Sequence, residues 1–397
     1  MLLFSHERAF LSLLKKDWDG TIWNKIFCEK QDIEDRFARE LIAEGHDCTL
    51  YFLSYKRDRK EGVHKFGHKV IRLPIDFSVK GIFGSELSFS LLTELSSQAY
   101  DVVLIYSSYY TQFIPFVPDM HDLFALFCIK KRLRIISTYS GGSHKKMPPK
   151  YLAPLKWWIK KRVLMLSDSI ISESKTEVEN LGKVFKIERK KIAYLRNCVD
   201  LNTFHTIPRD YCARVLHKED CKKYILFVGH ISRNKGIYDL IDVFKIINNE
   251  DPNIHLLIVG YGPDKSDVAK KIEQMGLNNY VSFEGLVLHE NLKLYYNLAS
   301  VFVLPSYSEG MPNVVMEAIA CNALTVATTV GDIDSLPDSL LLKIPPGNKA
   351  LLFQALKKVI NGGFRIDELE RNAFLKECST ETHKEGLKRL IENLSVS

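Results

Sequence analysis

Long apolar runs are missing from this sequence. No stretch approaches the roughly 18 consecutive apolar residues of a membrane-crossing helix, so a helical span is not expected. Cysteine pairing is missing too. The eight cysteines (28, 48, 128, 198, 212, 221, 321 and 378) are scattered without a C-x-x-C pair. That excludes a disulfide framework or a zinc ribbon and suits reduced thiols in a cytoplasmic protein. The opening stretch "MLLFSHERAFLSLLKKDWDG" carries His6, Glu7 and Arg8 inside its apolar part, so it reads poorly as a signal peptide. No internal repeat, low-complexity segment or nucleic-acid motif stands out, although the pI is near 8.8.

What is present is the composition of a folded chain, 46% hydrophobic and 26% charged over 397 residues. That length is too great for one ordinary core, so two domains are expected. Charge is uneven between the halves. Residues 1–200 hold 33 Lys and Arg against 24 Asp and Glu; residues 201–397 hold 22 against 24, so +9 and −2 make up the net +7. Either the halves meet different partners or the surface charge drifted without purpose.

The second half alternates short apolar runs with amphipathic helical patterns. Strands are expected at 224–229, 254–260, 281–285, 301–305 and 324–328, with helices at 237–249, 267–276, 292–299 and 314–321. Continuous apolar strands between helices indicate a parallel sheet buried on both faces. The first half shows the same alternation at 48–54, 69–74, 101–108, 134–139, 168–174 and 191–197, with a helix at 32–45 ending on Gly45. Residues 17–31 hold either a first strand and its loop or something local. The segment "HTIPRDYCARVLHKEDCKK" reads as an irregular linker. The expected boundaries are therefore 1–205, 206–380 and a C-terminal helix at 381–397 that packs back on the first domain.

One stretch concentrates chemistry. In "LPSYSEGMPNVVMEAIA" (304–320), Glu309 ends a loop and Glu317 lies inside a helix opened by Met311, Pro312 and Asn313. Proline suits the first helical position, because its φ is already helical and its missing N–H would be unpaired there. Gly310 lets backbone approach a ligand closely. The helix N-terminus favours a diphosphate. Two ordinary surface and helix glutamates are the plainer alternative. Upstream, "FVGHISRNKG" (227–236) sets Gly229 at a strand end and the cations Arg233 and Lys235 before another helix, where a cation is unfavourable unless an anion joins it.

In order and spacing, "VGHISRNKG", "IVGYGP", "VSFEGLV" and "VFVLPSYSEGMPNVVMEAIAC" resemble the donor-binding domain of family-four retaining glycosyltransferases. "YLRNCVDLNTF" and "DIEDRFARELIAEGHD" add to the resemblance, which is strong over 190–335 and only an outline before that. It implies an α/β protein of the GT-B fold, with two Rossmann-like, doubly wound parallel-sheet domains facing a cleft. The first would bind the acceptor and the second a nucleotide-diphosphate sugar, UDP- or GDP-linked.

By that resemblance Glu309 faces the donor sugar and Glu317 accepts from the ribose hydroxyls. The backbone of Gly310, Met311, Pro312 and Asn313 lines the sugar–diphosphate site together with Gly229, and Lys235 neutralises the departing diphosphate. Leu286 and Val287, in "FEGLV", belong to the segment whose backbone holds the base. No cofactor or metal is implied; "DWD" (17–19) and "DID" (332–334) read as loop charges. The acceptor would be a glycan or lipid-linked saccharide.

Three departures stand out. His230 takes the place of a frequent Arg, so Arg233 is the candidate second cation. Cys321-Asn322-Ala323-Leu324 replaces a usual C-G-x-P. In "STYSGGSHKK" (137–146), Ser140 occupies the place of a frequent His before Gly141 and Gly142. His144 either substitutes for that histidine or is a surface residue beside two lysines. The Ser140 departure keeps a second reading open, a non-catalytic nucleotide-sugar-binding or scaffolding subunit. Finally, "KKMPPKYLAPLKWWIKKRVLML" (145–166) mixes lysines with Trp157 and Trp158. It is either an interfacial segment for an anionic membrane surface or a domain helix with solvated lysines.

Overall fold

The computed structural model describes residues 2–6, 41–42, 45–54, 59–63, 67–74, 76, 88–97, 100–105, 120–139 and 154–396. The chain divides into two compact units, Met1–Leu195 with Lys384–Ser397, and Arg196–His383.

In the first unit the strands are β1 (Leu2–His6), β2 (Thr49–Ser54), β3 (Lys60–Val63), β4 (Lys69–Pro74), β5 (Val102–Ile105), β6 (Arg134–Tyr139), β7 (Ser169–Ser172) and β8 (Ile192–Tyr194). They lie in the order β3-β4-β2-β1-β5-β6-β7-β8. Every pairing is parallel except β3 with β4. The helices are α1 (Phe89–Ser97), α2 (Met120–Lys130), α3 (Pro154–Leu166) and α4 (Lys175–Phe185). β5 and β7 are buried at every position, as a sheet covered on both faces requires. β1 fills in the N-terminus, which the sequence reading leaves open: Leu2–His6 pairs with both β2 and β5 in the interior of the sheet. Residues 17–31, where the sequence reading allows a first strand, lie outside the described residues. Of the expected helix at 32–45, Leu41 and Ile42 are helical, and the Gly45 N–H donates to the Ile42 carbonyl at 2.9 Å with φ +87°.

The second unit carries β9 (Lys223–Val228), β10 (Ile254–Val259), β11 (Val281–Gly285), β12 (Val301–Leu304), β13 (Thr325–Thr328) and β14 (Leu342–Ile344). Their order is β11-β10-β9-β12-β13-β14, all parallel. From β9 the chain first builds outward through β10 and β11, then returns to β9's other side with β12 and builds the opposite way. The topological switch point therefore falls between β9 and β12, the place where open α/β sheets bind ligands beyond their carboxyl ends.

Seven helices follow along the unit: α5 (Arg209–Val215), α6 (Ile237–Glu250), α7 (Lys265–Gln274), α8 (Leu292–Leu298), α9 (Asn313–Ala320), α10 (Lys349–Ile360) and α11 (Glu368–Glu377). They cover both sheet faces in two apolar clusters. α5 corrects the linker reading, since Cys212 and Ala213 are buried with Tyr295 and Tyr296 of α8. The last helix, α12 (Thr380–Val396), places Leu387, Ile391 and Leu394 in the first unit's core with Leu50, Leu104 and Ile171.

Candidate active site

Two loops meet at the switch point. After β9 the chain runs through Gly229 to a 3-10 turn, Arg233–Lys235, and then Gly236 opens α6 at φ +70°. Only glycine fits there, because a Cβ would run into the Pro305 carbonyl of the loop after β12. The loops are laced further along. The Tyr307 N–H donates to the Asn234 carbonyl at 2.8 Å. The outcome is a short ion pair, Lys235 Nζ to Glu309 Oε1 at 2.6 Å, with the Glu309 side chain 9% exposed and that of Lys235 25%. Two residues 74 apart in sequence are joined by the fold.

Gly310 and Met311 are held from two sides. Gly331 has φ +59°, and a Cβ on it would strike the Glu309 and Gly310 carbonyls. The next N–H, of Asp332, donates to the Gly310 carbonyl at 2.9 Å. Asp332 is itself buried, so the reading of "DID" as loop charge is corrected at its first residue. Asn197 Nδ2 donates to the Met311 carbonyl at 3.4 Å. The Met311 side chain belongs to the core, which leaves its backbone for any ligand. Pro312 is the N-cap with extended backbone, and Asn313 is the first helical residue. This moves the proline one position ahead of the expected one, and its missing N–H is still no loss.

α9 carries Glu317 inward to 4% exposure. Its Oε2 accepts from the Tyr296 hydroxyl at 2.8 Å, and its Oε1 lies 2.8 Å from His289 Nε2. Burial first, then the neighbouring Glu317 charge, push the Tyr296 hydroxyl pKa far up, so it stays a donor. Phe204 packs edge-on against His289 and Tyr296, with ring centroids at 5.0 and 6.2 Å.

The remaining expected residues fall as follows. Arg233 is exposed with its guanidinium 4.6 Å over the Tyr238 ring, and its backbone N–H donates to Asp264 at 2.7 Å. His230 has its pKa lowered, by burial first and by the Lys235 charge second. The Gly229 N–H donates to the Val259 carbonyl at 3.0 Å, joining the β9 and β10 ends. Leu286 is exposed, whereas Val287 packs against the core. Glu284, beside them, binds Lys218 at 2.8 Å and Tyr295 at 3.2 Å. Ser140, Gly141, Gly142 and His144 lie outside the described residues.

Sequence reasoning missed His289, Tyr296, Phe204 and Gly331. One signal was available for Tyr296, since a tyrosine on the buried face of a helix needs a partner for its hydroxyl. Which partner it has depends on how α8 and α9 pack.

Two Rossmann-like units of this kind define the GT-B class, and solved structures share the fold. Sucrose-phosphate synthase from Thermosynechococcus elongatus matches with a TM-score of 0.72 at 19% identity, over 100% of this chain and 98% of that one. HepE from Anabaena, solved in complex with UDP, matches at 0.69 and 14% over 100% of both. Sequence comparison supplies the family. The Glycosyltransferase Family 4 profile matches residues 35–203 and the Glycosyl transferases group 1 profile matches residues 213–374. Both profiles are of glycosyltransferases, and together they cover most of the chain. It is 25% identical over 178 residues to 2-deoxystreptamine N-acetyl-D-glucosaminyltransferase from Niallia circulans, covering 44% of this chain and 46% of that protein. It thus spans about half that relative's length.

Proposed function

We propose that this protein transfers a sugar, with retention of configuration, from a UDP- or GDP-linked donor to a glycan or lipid-linked saccharide in polysaccharide or glycoconjugate biosynthesis. The observation that carries the reading is the Lys235–Glu309 pair at the switch point, 2.6 Å apart. A diphosphate is the anion whose charge competes with Glu309 for Lys235. Once Lys235 faces the diphosphate, Glu309 is left beside the sugar. The open end of α9, behind Gly310 to Asn313, adds donors and positive potential for the phosphates. Glu317 receives the ribose hydroxyls, and the Gly285–Val287 backbone holds the base. HepE in its UDP complex supports a nucleotide in this fold.

In the transfer step the sugar C1 bond to the diphosphate oxygen breaks, and the acceptor oxygen bonds C1 on the same face. The acceptor proton passes to the departing diphosphate oxygen. Lys235 stabilises the charge that develops there, the kind of electrostatic help that counts most in such reactions. Cations and helix dipole together take the place of a divalent metal. The test is an α-linked nucleotide sugar turned over with EDTA present and the product's anomeric proton coupling read by NMR. An α product is expected. A β product overturns retention, EDTA inhibition overturns metal independence, and donor binding without transfer to any acceptor favours the scaffolding reading.

We further propose that α3 rests on an anionic membrane surface. No helix of the described residues is long and apolar enough to cross a membrane. α3 instead turns Leu155, Trp158, Met165 and Leu166 outward, with Lys161 and Arg162 exposed among them. The Arg162 guanidinium lies 6.0 Å over Trp158. Trp157 turns inward to stack on Phe185 at 5.3 Å, and Lys160 is buried 2.7 Å from Asp122. The basic stripe thus loses Lys160 and keeps Lys161 and Arg162. Exposed aromatic and aliphatic side chains with cations between them complement anionic headgroups. Pelleting with phosphatidylglycerol vesicles should weaken as salt rises, and Lys161→Glu with Arg162→Glu should abolish it. Equal pelleting of variant and wild type removes this surface.

A further inference from the structure

Glu317 has a wall on one side and a gate on the other. Tyr296, at its Oε2, is fully buried, while the His289 side chain, at its Oε1, is 48% exposed. Phe204 packs against both rings and fixes their edges. Of the two side chains that bond this carboxylate, the imidazole is the one that reaches solvent, so a ligand hydroxyl meets Glu317 along His289. A carboxylate offers about four acceptor positions. Tyr296 and His289 occupy two, and the number left equals the hydroxyls of a vicinal diol. His289 also opens the 3-10 turn His289–Asn291, which Leu288 joins to Gly285–Val287. The segment assigned to the base and the group beside the ribose acceptor are therefore one continuous piece of backbone.

Resting on the reading of Glu317 as the ribose acceptor, we propose that His289 is a positioning residue for the nucleoside. It holds Oε1 of Glu317 in register for the ribose diol and forms the near side of the ribose subsite. Without it the carboxylate loses one of two donors and is free to turn about its last torsion. The diol then has to order that carboxylate as it binds. The transferred sugar and the diphosphate are served by Glu309 and Lys235, so the loss falls on nucleotide binding and leaves the transfer step alone.

The full-length protein with His289→Ala, His289→Leu and His289→Gln tests this, with melting curves to confirm folding. Leu fills the ring's volume without a donor; Gln returns an N–H toward Glu317. UDP and GDP are titrated calorimetrically, and kcat and KM are measured for the donor. In the Ala and Leu variants, Kd for the nucleotide and donor KM should both rise about tenfold, the worth of one hydrogen bond to a charged group. kcat should stay within about twofold, and Gln should recover most of the loss. Unchanged Kd in a folded Ala or Leu variant overturns the role. So does a fall in kcat as large as the rise in KM, or a Gln variant no better than Leu. Wild type that binds neither UDP nor GDP overturns the nucleotide-sugar reading itself.

Discussion

Glu309 and Glu317 lie in one loop-and-helix segment, and both are largely removed from water, yet they are neutralised in different ways. Glu309 is met by a full cation, Lys235, itself a quarter exposed. Glu317 is met by a phenol that burial keeps protonated and by an imidazole. An ion pair at a loop junction can be remade when a third charge arrives, because an incoming anion can take over Lys235 from Glu309. A carboxylate wedged between two rings keeps its geometry whatever arrives. The first arrangement suits a group whose partner changes during a reaction; the second suits recognition. Charge exchange and fixed acceptance are thus separated by the short stretch from the loop to the inside of α9.

The largest effect should come from breaking the first arrangement. Lys235→Ala leaves Glu309 partly buried without its cation and leaves the departing diphosphate uncompensated. Turnover should fall on the order of 100-fold or more, as when one preorganised donor to a developing anion is lost. Donor affinity should fall much less. Single-turnover rates measured at saturating donor check this, and a near-normal rate would remove Lys235 from the chemistry.

Glu317→Ala probes the second arrangement and should act in the opposite column. It takes away the ribose acceptor and leaves Tyr296 and His289 facing each other across the gap. Nucleotide affinity should drop by about 1–3 kcal/mol, the scale of a hydrogen bond to a charged group, while the rate at saturation changes little. Calorimetric titration of the folded variant decides it. Affinity equal to wild type would mean the nucleoside is held elsewhere.

How much of this was readable beforehand follows the same division. β9 to β13 and helices α6 to α9 were legible to within a few residues, because continuous apolar strands between amphipathic helices leave few alternatives. Glu309, Lys235 and Glu317 were legible from spacing, but their partners were not. Lys235 meets Glu309 only because Gly236 presses on Pro305, and Tyr296 meets Glu317 only through the packing of α8 on α9. α5 was hidden inside a polar stretch with Pro208 ahead of it, since seven residues give one apolar face little room to show. β1 was hidden because its apolar run, Leu2 to Phe4, gives way at once to Ser5, His6, Glu7 and Arg8, and the domain-helix reading of α3 missed which lysine it buries. Sequence counts Lys160 with its charged neighbours, whereas the fold buries it against Asp122.

The smallest expected effect sharpens the comparison by pH, since the Lys235 end carries a histidine, His230, whose charge the surroundings suppress. Burial, and then the Lys235 cation, lower the His230 pKa below its ordinary 6.5, with Asp264 working the other way. His230 is therefore neutral at pH 7.5 and adds no charge beside Lys235. A diphosphate arriving beside Lys235 offsets that cation and favours protonated His230, so binding takes up a proton as the pH falls toward the pKa of His230. Linkage then requires donor affinity to rise as pH falls. The sign is opposite to that of a site losing a carboxylate. A nucleotide-diphosphate sugar is the right probe, because its phosphates stay ionised throughout this range. Between pH 7.5 and 6 its affinity should rise roughly two- to fivefold for wild type, a fraction of the tenfold that one full pH unit of linkage allows. In His230→Gln that part of the slope should vanish while affinity at pH 7.5 stays close to wild type. Parallel slopes in the two proteins would place the diphosphate out of reach of His230.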